Sequence, residues 1–86
     1  MKSSNQWEEL QKLENILLKD NIRLTRQELR VLYETMDGKG NAEIAQFMHL
    51  CLGTIKTHKN NLIAKLGLKG KEEFRKYVVK LTKNLP

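Results

Sequence analysis

Cysteine and proline are almost missing from this chain. Its 86 residues include one cysteine, Cys51, and one proline, the terminal Pro86. A single cysteine excludes an internal disulfide, and with only two histidines it cannot complete a zinc site unless carboxylates contribute. The sequence therefore predicts no metal site, no cofactor and a reducing compartment.

Strand patterns and long apolar runs are also missing. No stretch alternates apolar and polar residues over the length of a half-buried strand. No apolar run is long enough for a signal peptide or a bilayer span. With 40% apolar residues and five glycines, the sequence predicts one small all-α domain that is cytoplasmic and has no membrane partner.

The residue combinations that enzymes use for catalysis are missing as well. The sequence has no glycine-rich phosphate loop, no nucleophile and base pair, and no paired carboxylates on a common helix face. We therefore predict that the protein is not an enzyme.

Acidic residues are scarce in the C-terminal part. Residues 1–53 carry seven Lys/Arg and eight Asp/Glu, a net charge of −1, whereas residues 54–86 carry nine and two, a net charge of +7. One basic half suits a polyanion, because each neutralised phosphate releases condensed counterions. A lysine surface that only keeps the protein soluble would have the same composition. The positions of these residues on the predicted helices are needed to distinguish the two alternatives.

Apolar residues recur at helical spacing in five segments. The first follows a polar N-terminal stretch, expected to be frayed, and runs to Lys19. Its apolar stripe consists of Trp7, Leu10, Leu13, Leu17 and Leu18. The stripe is too short for a coiled coil, so we expect this helix to pack on its own domain rather than on a second copy.

The second and third helices are marked by their first and last residues. Thr25 and Glu28 form a capping box at the start of the second helix, and Gly38 ends it. Its predicted inner stripe is Leu29, Leu32, Tyr33 and Met36. The third helix starts after Gly40, and its predicted inner residues are Ile44, Phe47 and Met48.

A turn at His49-Leu50 leads to a fourth helix over residues 52–66, and a fifth follows over residues 71–83. At about 100° per residue, the inner side of the fourth helix carries Ile55, Leu62 and Leu66. The outer side carries Gly53, Thr57, Asn60 and Ala64, flanked by Lys56 and Asn61. The inner stripe of the fifth helix is predicted to be Phe74, Val78 and Leu81.

The outer side of the fourth helix is small, polar and basic. Such a surface suits the major groove of DNA, where lysine bonds guanine acceptors, asparagine bonds adenine, and a threonine methyl meets thymine. An ordinary solvated helix has a similar composition, so this side alone leaves both interpretations open. His58, at the margin of the apolar stripe, is interpreted as a packed edge residue with a phosphate contact as a second role.

These segments, taken in order, resemble the LuxR-type (GerE-like) helix-turn-helix of bacterial response regulators and quorum-sensing activators. Eight residues separate Ala45 from Thr54, and the resemblance covers about residues 24–83. The matching motifs are Leu24-Thr25, Glu28-Leu29-Arg30-Val31-Leu32, Glu43-Ile44-Ala45, Thr54-Ile55-Lys56-Thr57-His58 and Asn61-Leu62-Ile63-Ala64-Lys65-Leu66-Gly67-Leu68.

The resemblance implies a tetrahelical DNA-binding domain over residues 23–86, to which residues 1–22 add an N-terminal tail and helix. Residues 52–66 would be the recognition helix of a bacterial transcription regulator that binds double-stranded DNA. Carried over by position, the base-reading residues are Lys56, Thr57 and Asn60. The residues that contact or lie near phosphates are Thr54, His58 and Lys65.

The resemblance also implies a homodimer on DNA, formed through the last helix. Val79 supports this expectation independently, because it falls on the outer side of that helix near Arg75 and Lys76. Single exposed apolar residues are common, so the family pattern is the stronger argument. Contact with RNA polymerase is a further expectation for a regulator of this kind.

Two positions depart from the family pattern. Gly40 and Cys51 stand at helix N-caps where the family usually has a hydroxyl residue. Loss of a Ser or Thr cap costs about 1 kcal/mol, less when glycine replaces it, and it removes a donor for phosphate. Gly53 adds a backbone-entropy cost of up to about 1 kcal/mol relative to alanine.

Two other functions use a similar run of helices. A sigma-factor region-4-like module has the same Leu-Thr start, although His58 and the Lys65-Leu66-Gly67 ending favour the LuxR type. A protein-binding co-regulator or anti-activator is the alternative of another class, since fold does not fix function. The sequence leaves open whether the chain acts alone or is part of a larger regulator.

Overall fold

Five α-helices make up the computed structural model, which describes the backbone of residues 2–84 and the side chains of residues 7–84. The part so described contains no β-strand. The helices are α1 Lys2–Lys19, α2 Arg26–Met36, α3 Asn41–Met48, α4 Leu52–Lys65 and α5 Lys71–Asn84. The all-α fold, with four family helices and an additional N-terminal helix, is confirmed. The polar stretch expected to be frayed is helical from Lys2.

The signals at the two ends of α2 act as predicted, and a glycine also follows α4. The backbone N–H of Glu28 donates to Thr25 Oγ1 over 3.1 Å, and the N–H of Thr25 donates to Glu28 Oε1 over 2.9 Å, which completes the capping box. Gly38 follows α2 with φ of 92°, and Gly67 follows α4 with φ of 73°. Glycine occupies this left-handed region without steric penalty, so both helices end where the chain must turn.

The core forms around α2, which packs against each of the other four helices. Buried apolar side chains come from all five: Leu13, Leu17, Val31, Leu32, Ile44, Ala45, Ile55, Leu62, Phe74 and Leu81. Of the predicted α2 stripe, Leu32 is buried and the other three residues are partly buried against the core. Val31, which the predicted stripe omitted, is fully buried.

The N-terminal helix packs on its own domain, as predicted. Leu13 and Leu17 are fully buried in the core, and the hydroxyl of Tyr33 donates to the Glu9 carboxylate. Burial, followed by that carboxylate, raises the pKa of Tyr33 to about 12. The predicted stripe was wrong at Trp7 and Leu18, which are 56% and 41% exposed. Around the helix axis they lie roughly 120° and 140° from Leu13, beside the buried seam rather than on it.

A buried carboxylate and an exposed ring form a cluster between α2 and α3 that the sequence did not predict. Glu34 is fully buried and accepts from Arg30 Nε over 2.9 Å and from Lys39 Nζ over 2.6 Å. The same two cations lie 5.3 Å from the centre of the Phe47 ring. The expectation that Phe47 is an inner residue was therefore wrong: it is 47% exposed and stabilised by cation–π contacts instead of core packing.

A second unpredicted ion pair joins α2 to the end of α4. Lys65 Nζ lies 2.6 Å from Glu28 Oε1, whose side chain is only 5% exposed. Burial alone would raise the pKa of Glu28, but the hydrogen bonds from Lys65 and from Thr25, with the charge of Lys65, hold that pKa below its ordinary value. The Glu28 carboxylate thus caps α2 and fixes the C-terminal end of α4.

This lowered pKa makes the contribution of Glu28 to folding depend on pH. A lowered folded-state pKa stabilises the fold above the unfolded value of 4.5, and that stability is lost as pH falls through 4.5 and below. We expect Glu28→Gln to reduce the free energy of unfolding most near neutral pH, with the difference from the parent shrinking at about pH 3.5. Urea denaturation across this range measures it, with Glu14→Gln on α1 as the matched control. An unchanged difference from neutral to acid pH would contradict the prediction.

Candidate nucleic-acid interface

The turn between α3 and α4 is short and sharply defined. His49 adopts the left-handed conformation with φ of 58°. The N–H of Leu50 then donates to the carbonyl of Ala45 over 2.9 Å, which closes the end of α3. Because α3 and α4 pack directly on each other, α3 holds α4 at a fixed angle to the rest of the domain.

The two sides of α4 differ as predicted. Ile55 and Leu62 are fully buried, and Leu66 is partly buried against the core as the C-cap of the helix, so α4 ends one residue earlier than expected. On the opposite side every predicted outward residue is exposed: Gly53, Lys56, Thr57, Asn60, Asn61 and Ala64. No described side chain therefore covers the three candidate base-reading residues, and their role in base contact stays a prediction.

Hydrogen bonding within α4 orients one of these residues. The Thr57 hydroxyl donates to the carbonyl of Gly53 over 3.0 Å. Its O–H is thus used inside the helix, which leaves the oxygen as an acceptor and the methyl group for apolar contact. Lys56 and Asn60 make no side-chain hydrogen bond to another described residue, so the donors of both side chains remain available.

The three candidate phosphate-contacting residues occupy different environments. Thr54 and His58 are half-buried at the edge of the apolar stripe, and His58 has Ile55 and Leu62 buried one turn before and after it. This position agrees with the interpretation of His58 as a packed edge residue. The Lys65 side chain is 39% exposed, but its ammonium group pairs with Glu28, so any phosphate contact would share that group with an internal ion pair.

The N-caps of α3 and α4 lack side-chain hydrogen bonds, as the departures from the family pattern predicted. Gly40 and Cys51 both have extended cap geometry, with φ/ψ of −80°/170° and −76°/151°, but Gly40 has no side chain and the Cys51 side chain makes no capping hydrogen bond. The backbone is thus correctly placed for capping and only the hydroxyl oxygen is missing. The first amides of both helices remain available to other acceptors.

A concave groove of about 390 Å³ separates α4 from α5. Its wall includes four cationic residues, Lys56 and Lys59 from α4 and Lys71 and Arg75 from α5, and none of the described residues that line it is acidic. Burial, followed by the charge of Lys71, lowers the pKa of Lys59. The groove was not predicted from the sequence, although four of its lining residues follow helical spacing on one side of α4: Lys56, Lys59, Asn60 and Ile63.

The candidate dimer residues lie on α5, and two of them, Arg75 and Val79, also line this groove. Val79 is 49% exposed, and Arg75 and Lys76 are exposed beside it.

Within residues 2–84 no helix is long and apolar enough to cross a membrane. The same residues contain no group of three or more His, Cys, Asp or Glu placed to hold a metal ion.

Comparisons with known proteins agree with this arrangement. The family described as bacterial regulatory proteins, luxR family, matches residues 23–78. Oxygen regulatory protein NreC of Staphylococcus aureus, in strains JH9 and Mu3 alike, is 39% identical over 57 residues. That alignment covers 66% of this chain and 26% of each relative, so the chain matches about a quarter of their length. No solved structure shows a significant match.

Restoring a hydroxyl at the N-cap of α4 should stabilise the domain. In Cys51→Ser the new Oγ can accept from the N–H of Thr54, and we expect the free energy of unfolding to rise by about 0.5–1 kcal/mol. Urea denaturation followed by circular dichroism measures the change. Cys51→Ala, which removes the thiol without adding an acceptor, is the matched control. Equal stability of the serine and alanine variants would show that the missing cap has no energetic consequence.

Proposed function

Because the chain belongs to the luxR family of bacterial regulatory proteins, whose domains bind DNA, we propose that it reads duplex DNA through the major groove with α4 as recognition helix. Residues 23–86 form the DNA-binding unit of this proposal. It would act in the cytoplasm, where the bacterial chromosome lies.

The observation that carries this proposal is the division of α4 into two sides. Ile55 and Leu62 are fully buried, whereas Lys56, Thr57 and Asn60 are exposed on the opposite side. An α-helix enters the major groove only if its outer side chains are small or can hydrogen-bond base edges, and this side meets both conditions. In our proposal these three residues contact bases.

Positive charge next to this side supports binding to the phosphate backbone. Residues 54–86 carry a net charge of +7. Phosphate contacts position a protein on the duplex and make its affinity depend steeply on salt. We assign this role to Thr54 and His58 at the edge of α4, and to Lys65 to the extent that its pair with Glu28 allows.

Assembly is part of the proposal. Val79, Arg75 and Lys76 of α5 would form the contact of a homodimer, so that two copies of α4 read paired half-sites. Contact with RNA polymerase would follow from a role in transcription. Because the chain matches only about a quarter of the length of its curated relatives, the signal that controls it is left out of this proposal.

Charge reversal at one outward residue tests the role of α4. We expect Lys56→Glu to weaken binding to a selected duplex by about 1–3 kcal/mol, because it replaces a base-contacting donor with a group that repels phosphates. Fluorescence anisotropy at moderate salt measures the affinity, and circular dichroism checks the fold. Lys12→Glu on α1 makes the same change in net charge away from the proposed interface.

The outcomes separate DNA binding from the alternative functions. Parent-like affinity of a folded Lys56→Glu variant would show that α4 does not read DNA. If the parent protein binds no duplex even at low salt, the protein-binding co-regulator is favoured instead. The operator itself is best found by selecting bound sequences from a randomised duplex library.

A further inference from the structure

The groove between α4 and α5 has an excess of positive charge that nothing in the described structure balances. Elsewhere in the described part, two lysines and an arginine pair with carboxylates: Lys39 and Arg30 with Glu34, and Lys65 with Glu28. Here Lys59 and Lys71 line one groove with Lys56 and Arg75, and no described carboxylate lines it.

One of these lysines is held where its charge is unfavourable. Lys59 is half-buried between the two helices, and burial together with the charge of Lys71 lowers its pKa. Taking a cation out of water beside a second cation costs free energy unless an anion joins them. An exposed position would have avoided this cost, so the arrangement favours an anionic ligand in the groove.

The lining residue Asn41, the first residue of α3, carries a buried Oδ1 without a hydrogen-bond partner in the described part of the chain. This atom is itself an acceptor, so it does not attract anionic oxygens. The preference for an anionic ligand therefore rests on the four cations of the groove.

We propose that the groove between α4 and α5 is a phosphate-binding site. Lysine and arginine donate charge-assisted hydrogen bonds to phosphate oxygens, and the apolar floor of Ile63, Phe74 and Val78 strengthens those bonds by excluding water. Lys56 and Asn60 belong both to this groove and to the outer side of α4, so the site adjoins the base-reading residues.

The phosphate has two possible sources with the same chemistry. One is the DNA backbone beside the recognition helix, and this source rests on the proposed function. The other is a free phosphate group, which does not depend on DNA binding. Both would neutralise Lys59 and Lys71, and the experiment separates them.

The test compares two double variants of the full chain. Lys59→Gln with Lys71→Gln removes two groove cations that are outside the proposed base-reading set. Lys12→Gln with Lys19→Gln removes two exposed cations from α1 and is the matched control. Circular dichroism establishes that both variants are folded.

The first measurement is thermal unfolding in inorganic phosphate against sodium chloride at equal ionic strength. Ligand that binds only the folded state raises the melting temperature. Phosphate also stabilises proteins by exclusion from their surface, but that effect is shared by all variants. We expect the parent and the α1 variant to gain more from phosphate than the groove variant does.

The second measurement is the salt dependence of duplex binding by anisotropy. Each lost phosphate contact reduces the slope of log affinity against log salt by about 0.9. We expect a reduction of about that size in the groove variant and none in the α1 variant.

Each result decides something specific. A loss of phosphate-specific stabilisation shows a site for free phosphate, and a reduced slope shows a site for backbone phosphate; either supports the proposal. If the groove variant matches the α1 variant in both measurements, the proposal is overturned. If the parent binds no duplex at all, the proposed function fails while the first measurement still decides the groove.

Discussion

The domain depends on the burial of one side of α4 against α2 and α3. Ile55 and Leu62 are fully buried, and complete burial of such side chains contributes about 1.5–3 kcal/mol each. This packing fixes the rotation of α4 about its own axis. A different rotation would expose these aliphatic side chains and bury polar groups without partners, so the outward side is determined by what the inward side must contact.

Polar interactions hold α4 against α2 in addition to its apolar packing. The Glu28 carboxylate accepts from the N–H of Thr25 at the start of α2 and from Lys65 at the end of α4. A carboxylate that is 5% exposed needs an opposite charge and hydrogen bonds, and Glu28 Oε1 receives both the Thr25 amide and the Lys65 ammonium. This ion pair joins the last turn of α4, the proposed recognition helix, to α2 at the centre of the core.

Positive charge is distributed in two ways in this fold. In the α2–α3 cluster, Arg30 and Lys39 serve a structural purpose, because they pair with buried Glu34 and flank the ring of Phe47. Around α4 and α5, no described carboxylate lines the groove beside the cations, so they are available to a ligand. The same residue types therefore stabilise one part of the domain and are available for anion binding in another.

Local patterns were enough to predict most of the helices and the outward side of α4. Capping boxes, helix-ending glycines and helical spacing involve only residues within one or two turns of each other. They can therefore be identified directly from the sequence. The prediction for Phe47 failed because side chains of another segment decide its environment. Phe47 looked like a core residue by spacing, yet the cations of Arg30 and Lys39 hold it at the surface.

The amino-acid order by itself determined most of the helix boundaries, the charge asymmetry and the two-sided character of α4, because each of these depends on residues close together in the chain. Only the tertiary structure decided that Lys65 pairs with Glu28 and that Lys59 and Lys71 line one groove. The first pair is separated by 37 residues, and the groove exists only where α4 meets α5. Such contacts depend on how the helices cross, which local spacing does not specify.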